Sequence, residues 1–153
     1  MTNLRTHLTD DMKTAMKAGD KTRLDTIRLI LAKMKEVDIN ARAGGKDAAT
    51  DTELLSMLQG MVKQRAESAK IYRENARPEL ADQEDAEIAV INSFLPQQLS
   101  DDDAARMIAA IITEIGAAGV KDMGRVMAAA REKLAGQFDM TKASGIVKAK
   151  LAG

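Results

Sequence analysis

Between Lys121 and Lys133 the chain reads KDMGRVMAAAREK, and the first turn of this stretch gathers an acid, a glycine and two cations. Asp122 is placed to cap a helix, and Gly124, inside the first turn, costs about 1 kcal/mol of helix propensity relative to Ala. A helix tolerates that cost where another backbone or a ligand must come close. A helix N-terminus with free N–H groups, flanked by Lys121 and Arg125, suits a phosphate or another anion. Close helix packing explains the glycine equally well, though not the two cations. Arg131 and Lys133 follow on the same helix and Lys142 on the next, so these six residues form the candidate anion surface. A secondary candidate lies in KQRAESAKIYR, where Lys63 and Lys70 fall on roughly one side of a helix and Arg65 sits nearer its apolar face. A solvated face with i,i+4 ion pairing is the plain alternative there.

Other chemistry finds little support. The only histidine, His7, stands beside Leu8 on the first helix with no second His or Cys to share a metal, and reads as a surface or boundary residue. Paired carboxylates such as Asp10-Asp11, Asp101 to Asp103 and Glu84-Asp85 lie in capping or solvated positions, and adjacent helical residues point in different directions. In Gly44-Gly45-Lys46 a phosphate loop would need a glycine where Asn40 stands and Ser or Thr where Asp47 stands. The serines lack a nucleophile elbow. We therefore expect no catalytic residue, no metal and no cofactor.

The residues that must position the anion surface are helical throughout. Leu4, Leu8, Ala15 and Met16 are spaced for one helix ending at Gly19, and Asp20 caps a second from Lys21 to about Ala43, with Leu24, Ile27, Ile30, Leu31, Met34 and Val37 inward. Thr50 and Glu53 form a capping box for a third helix, to about Ala76, burying Leu54, Leu55, Leu58, Met61, Val62, Ala69 and Tyr72. A fourth, acidic helix spans Glu79 to about Phe94, with Leu80, Ile88, Ile91 and Leu95 inward. Pro96 closes it. Ser100 then caps a helix whose first turn is Asp101-Asp102-Asp103, and two more run from Asp122 to Ala135 and from Met140 to Leu151. No segment alternates with period two. The expected fold is all-α: an N-terminal domain of about four helices over residues 1–95 and a small three-helix C-terminal domain over 96–153.

Composition agrees. Of 153 residues 45% are hydrophobic but only 2% aromatic, with 10 Met, so the core must be aliphatic and methionine-rich, as suits helices. The 23 cations balance 23 acids, which makes any polyanion site a local patch. From Lys121 onward there are 7 cations against 3 acids. The absence of cysteine excludes disulfides and thiol catalysis, and the longest apolar run, Met107 to Ile112, is far too short to span a membrane. With an opening that resembles no secretory or organellar signal, these features lead to the expectation of a soluble, cytoplasmic protein.

Five stretches also carry a resemblance. Asp122-Met123-Gly124-Arg125-Val126-Met127 is similar to the DMGKVM signature of the GatB/YqeY family, stand-alone relatives of the C-terminal tail of the GatB component of tRNA-dependent amidotransferases. Arg23 to Leu29 resembles its RLxTLRLL, Lys63 to Ser68 its KQRxES, Glu87-Ile88 its EI pair, and Phe94 to Leu99 its YLPxQL. The resemblance implies a two-part helical fold and association with tRNA, since the matching GatB tail grips the tRNA body while the rest performs carbon–nitrogen ligase chemistry with glutamine as nitrogen donor. The activated nucleophile and the phosphate and magnesium site which that chemistry requires are not found here. The leading expectation is a non-catalytic, tRNA-associated accessory protein. A helical protein-interaction adaptor without RNA binding is the alternative, and a component active only beside other amidotransferase subunits is a third reading.

Overall fold

In a computed structural model describing residues 3–153, seven α-helices follow one another with no strand among the described residues. They are α1 (Leu4–Ala18), α2 (Lys21–Ala43), α3 (Asp51–Glu74), α4 (Pro78–Asn92), α5 (Asp101–Ile115), α6 (Met123–Lys133) and α7 (Met140–Ala152), with a 3-10 turn at Val120–Asp122. They form two compact units, Met1–Leu95 and Pro96–Gly153.

In the first unit α3 packs along α4, and α2 packs against α1, α3 and α4. Leu8, Ile27, Ile30, Leu54, Leu58 and Ile91 are fully enclosed in its core, each contributing about 1.5–3 kcal/mol by leaving water. The helix starts obey local chemistry. Asp20 accepts from the Arg23 N–H at 3.1 Å, and the Thr50–Glu53 capping box closes in both directions. Two residues expected inside are not. Met16 is 52% exposed and Leu80 39%, because in each case the small neighbouring alanine, Ala15 on α1 and Ala81 on α4, is buried and takes the inward position. Tyr72 is only half-buried.

Charges tie this unit together more than its few aromatics do. Arg5 grips Asp38 with two parallel bonds of 2.7 Å, and its second nitrogen also donates to the Ala49 carbonyl at 3.2 Å. Asp38 in turn accepts from the Ala49 N–H at 2.9 Å, so one buried carboxylate joins α1, α2 and the segment leading into α3. Arg23 pairs with Asp11, donates to the Ser93 hydroxyl at 3.1 Å and stacks 5.3 Å above the Phe94 ring, with the His7 ring edge-on to the same phenyl at 4.8 Å.

The second unit encloses Ile108, Ile111, Val126, Ala130, Leu134, Ala143 and Val147 where α5, α6 and α7 meet. Ser100 accepts from the Asp103 N–H at 3.1 Å at the head of α5, and Asp139 accepts from the Thr141 N–H at 2.8 Å at the head of α7. Gly116 ends α5 at φ 74° and Gly136 turns the α6–α7 connection at φ 71°, both in the left-handed region that favours glycine. The Leu99 N–H donates to the Gln137 carbonyl at 2.9 Å and the Gln98 side-chain amide to the Gly136 carbonyl at 2.7 Å, which fastens that turn to the strap preceding α5.

The Arg5 guanidinium and the Ala49 N–H hold the Asp38 carboxyl well below the usual carboxylate range, despite burial acting in the opposite direction. A lowered native pKa contributes stability that is complete above the unfolded value of about 4 and is lost as pH falls through it towards the native value. Asp38→Ala should therefore cost about 3 kcal/mol at neutral pH and flatten the acid limb of stability below about pH 4, measured by urea unfolding across a pH series.

Candidate functional site

The start of α6 differs from its sequence expectation. The 3-10 turn comes first, with the Asp122 N–H bonded to the Gly119 carbonyl and the Met123 N–H to that of Val120. Asp122 stands at the cap position but makes no side-chain bond to the amides of α6. Its carboxylate turns back to accept from the Ala118 N–H at 2.8 Å, while the other oxygen accepts from Arg125 at 2.8 Å. Those two donors hold the Asp122 carboxyl below its ordinary range. The expected helix cap is thus corrected to a loop staple: a short polar side chain can bond the backbone on either side, and here the preceding turn offers the better donor. Arg125 is consequently paired with a negative charge already in place.

Gly124 has neither of the usual structural reasons for being glycine. An added Cβ would meet no atom within 4 Å, so close packing inside this chain does not require it, and its φ lies outside the left-handed region. It faces instead a cleft of about 550 Å³ between α6 and α7. Met123, Gly124, Met127 and Arg131 line one side at i, i+1, i+4 and i+8, and Met140, Thr141 and Ser144 line the other. The buried contacts of Val126 and Ala130 with the core shared by Ala143 and Val147 hold the two walls apart at that spacing. Arg131 is exposed and forms no salt bridge among the described residues, and the same is true of Lys121. The cleft combines an available guanidinium, two hydroxyls and a thioether floor. That combination can hold an anionic group next to an apolar surface.

The remaining cations divide by what they touch. Lys133 pairs with Glu114 of α5 at 2.6 Å, and Lys142 pairs with Asp101 at 2.8 Å while lying 5.4 Å from the Phe138 ring centre. Neither lines the cleft. Exposed pairs of this kind are worth about 0–1 kcal/mol, so both lysines can exchange their carboxylate for another anion. On α3, Lys63 and Lys70 are exposed without a salt bridge among the described residues. Arg65 is a correction: it turns inward to Glu87 of α4 at 3.4 Å, with only 14% of its side chain exposed, and donates to the Met61 carbonyl at 3.3 Å. Burial and the neighbouring Glu87 push the Glu84 carboxyl up beside it. Arg65 therefore neutralises acids between two helices, because its position near the apolar face aims it at α4 and not at solvent.

Sequence reading missed Met127, Met140, Thr141 and Ser144 as site residues. The available signal was the Met123/Met127 pair one turn apart and the Thr141/Ser144 pair just after a capping Asp139.

A family model of the YqeY-like proteins matches residues 5–151. The chain belongs to the YqeY-like protein family. Curated relatives of this YqeY-like chain include "Altered inheritance of mitochondria protein 41, mitochondrial" of Clavispora lusitaniae, 34% identical over 109 residues, covering 70% of this chain and 61% of the relative. The protein of that name from Eremothecium gossypii is 34% identical over 108 residues, 69% of this chain and 57% of its own length. That from Pyrenophora tritici-repentis is 33% identical over 84 residues, 55% and 44% respectively. The chain thus spans about half the length of the curated relatives it matches. Their names overturn the cytoplasmic expectation, since these relatives are called mitochondrial. The absence of cysteine, on which that expectation partly rested, bears on oxidation and does not distinguish one reducing compartment from another.

Because a Cβ at position 124 enters open space in a helical turn, Gly124→Ala should raise stability by about 0.5–1 kcal/mol, seen as a higher urea midpoint with an unchanged slope.

Proposed function

We propose that this YqeY-like protein is a tRNA-associated accessory protein whose C-terminal unit grips folded RNA by backbone and shape. The observation that carries the reading is the α6–α7 cleft, where Arg131 is unpaired among the described residues and Gly124 leaves the wall open to a close approach. Lys121 adds a second uncommitted cation just before α6, and Lys133 and Lys142 are held only by exchangeable surface pairs. Structured RNA presents phosphates and 2′-hydroxyls to such a surface, while a chain with 2% aromatic residues has little with which to stack bases. The resemblance to the GatB tail points to tRNA as the first RNA to test.

One observation favours a second reading. Met123, Met127 and Met140 give the cleft an adaptable apolar floor, which suits the docking of a partner helix, including one from an amidotransferase subunit. Salt separates the two readings, because phosphate contacts release counterions and apolar docking does not.

Deacylated tRNA should bind purified protein with an affinity that falls as salt rises. Replacing both Lys121 and Arg131 by Ala should weaken binding and reduce the log–log salt slope by about 1 for each cation removed. Absence of tRNA binding, or binding indifferent to both salt and the double variant, would overturn the RNA reading in favour of a protein partner.

A further inference from the structure

Thr141 and Ser144 lie one turn apart on α7 and both line the cleft, which places their Cβ atoms about 5–6 Å from one another. Neither hydroxyl makes a hydrogen bond among the described residues; only the Thr141 backbone is engaged, by the Asp139 cap. Thr9, Thr14, Thr26 and Thr113, by contrast, each donate to the carbonyl four residues earlier. The two α7 hydroxyls are therefore open both to donate and to accept. Arg131 faces them from α6 with its fork of donors uncommitted.

We infer that this cleft recognises ribose specifically, Thr141 and Ser144 meeting a 2′-hydroxyl while Arg131 holds the adjoining phosphate and Met127 lies against the sugar. The inference deepens, and rests on, the RNA reading above. A 2′-hydroxyl is at once donor and acceptor, which matches a serine or threonine hydroxyl and marks RNA off from DNA. A phosphate is an acceptor only and is matched by the guanidinium, which can bond two of its oxygens. The bare Gly124 lets a nucleic-acid strand reach the wall of α6 without meeting a side chain. A docked protein helix would use the methionine floor but would leave paired hydroxyls opposite an arginine without a defined role. Charge complementarity therefore selects the polyanion as occupant.

The test compares a deacylated tRNA transcript with a 2′-O-methylated copy of the same sequence, which retains every phosphate but cannot donate from the sugar. Wild-type protein should bind the methylated copy about tenfold more weakly. The Thr141→Ala/Ser144→Ala double variant should bind both copies alike with the salt slope of wild type, whereas Arg131→Ala should keep the preference and lose about 1 from the slope. Both hydroxyls lie outside the core, and far-ultraviolet circular dichroism of the variants verifies that the helices are intact. Equal, salt-dependent binding of both copies by wild type would overturn this inference and leave the RNA reading standing. A preference that survives the double variant would overturn the assignment to these hydroxyls. Binding to neither copy would overturn both readings.

Discussion

The carboxylate of Asp122, held by the Ala118 N–H on one side and the Arg125 guanidinium on the other, decides where α6 begins and which of its cations remains available. It staples the loop ahead of the 3-10 turn at Val120–Asp122, after which α6 starts at Met123 with Gly124 in its first turn. From that start the helical repeat carries Met127 and Arg131 onto the wall facing α7, and Val126 and Ala130 onto the core. The same carboxylate neutralises Arg125. The positive character of the cleft then rests on Arg131, with Lys121 close by in sequence.

The N-terminal unit uses its charges differently. Arg5, Arg23 and Arg65 each reach from one helix to an acid on another, and all three are partly buried. With a single Tyr and two Phe in the whole chain, bulk to lock the helices together is scarce, and inter-helix arginine contacts, bidentate at Arg5–Asp38, supply geometric specificity that an aliphatic core does not. The cost at Asp38 is sensitivity to acid, since its carboxyl, held well below the usual range by Arg5 and the Ala49 N–H, must stay ionised to keep those partners. Two of the five stretches that resemble the family, around Arg23 and around Arg65, are in part such internal ties. The stretch around Gly124 is unlike them, as it opens onto solvent.

Much of the architecture was legible because helix periodicity and helix ends are local. The caps at Asp20, Thr50 and Ser100 and the left-handed Gly19 depend on hydrogen bonds spanning five residues or fewer, and each follows from residue type and spacing. Even local reading has a limit, shown by Asp122: the same residue at the same position can bond forwards to its helix or backwards to a loop, and here it bonds backwards. Leu80 and Met16 show another. Periodicity identifies the apolar face of a helix but not which of two adjacent apolar residues, Ala15 or Met16, Leu80 or Ala81, turns to the neighbouring helix.

The seven helices, their aliphatic interiors and the basic character of the last two are properties of the chain as written, because propensity, capping and charge count need no partner from elsewhere in the sequence. Which cations stay available is a different kind of fact. Arg65 is spent on the partly buried Glu87, while Lys133 and Lys142 sit in exchangeable surface pairs with Glu114 and Asp101, and all three partners lie on other helices and are brought near only by packing. The cleft itself exists because Val126, Ala130, Ala143 and Val147 bury together and leave Arg131, Thr141 and Ser144 facing one another across the gap. That juxtaposition belongs to the tertiary structure, since spacing along one helix says nothing about the wall opposite.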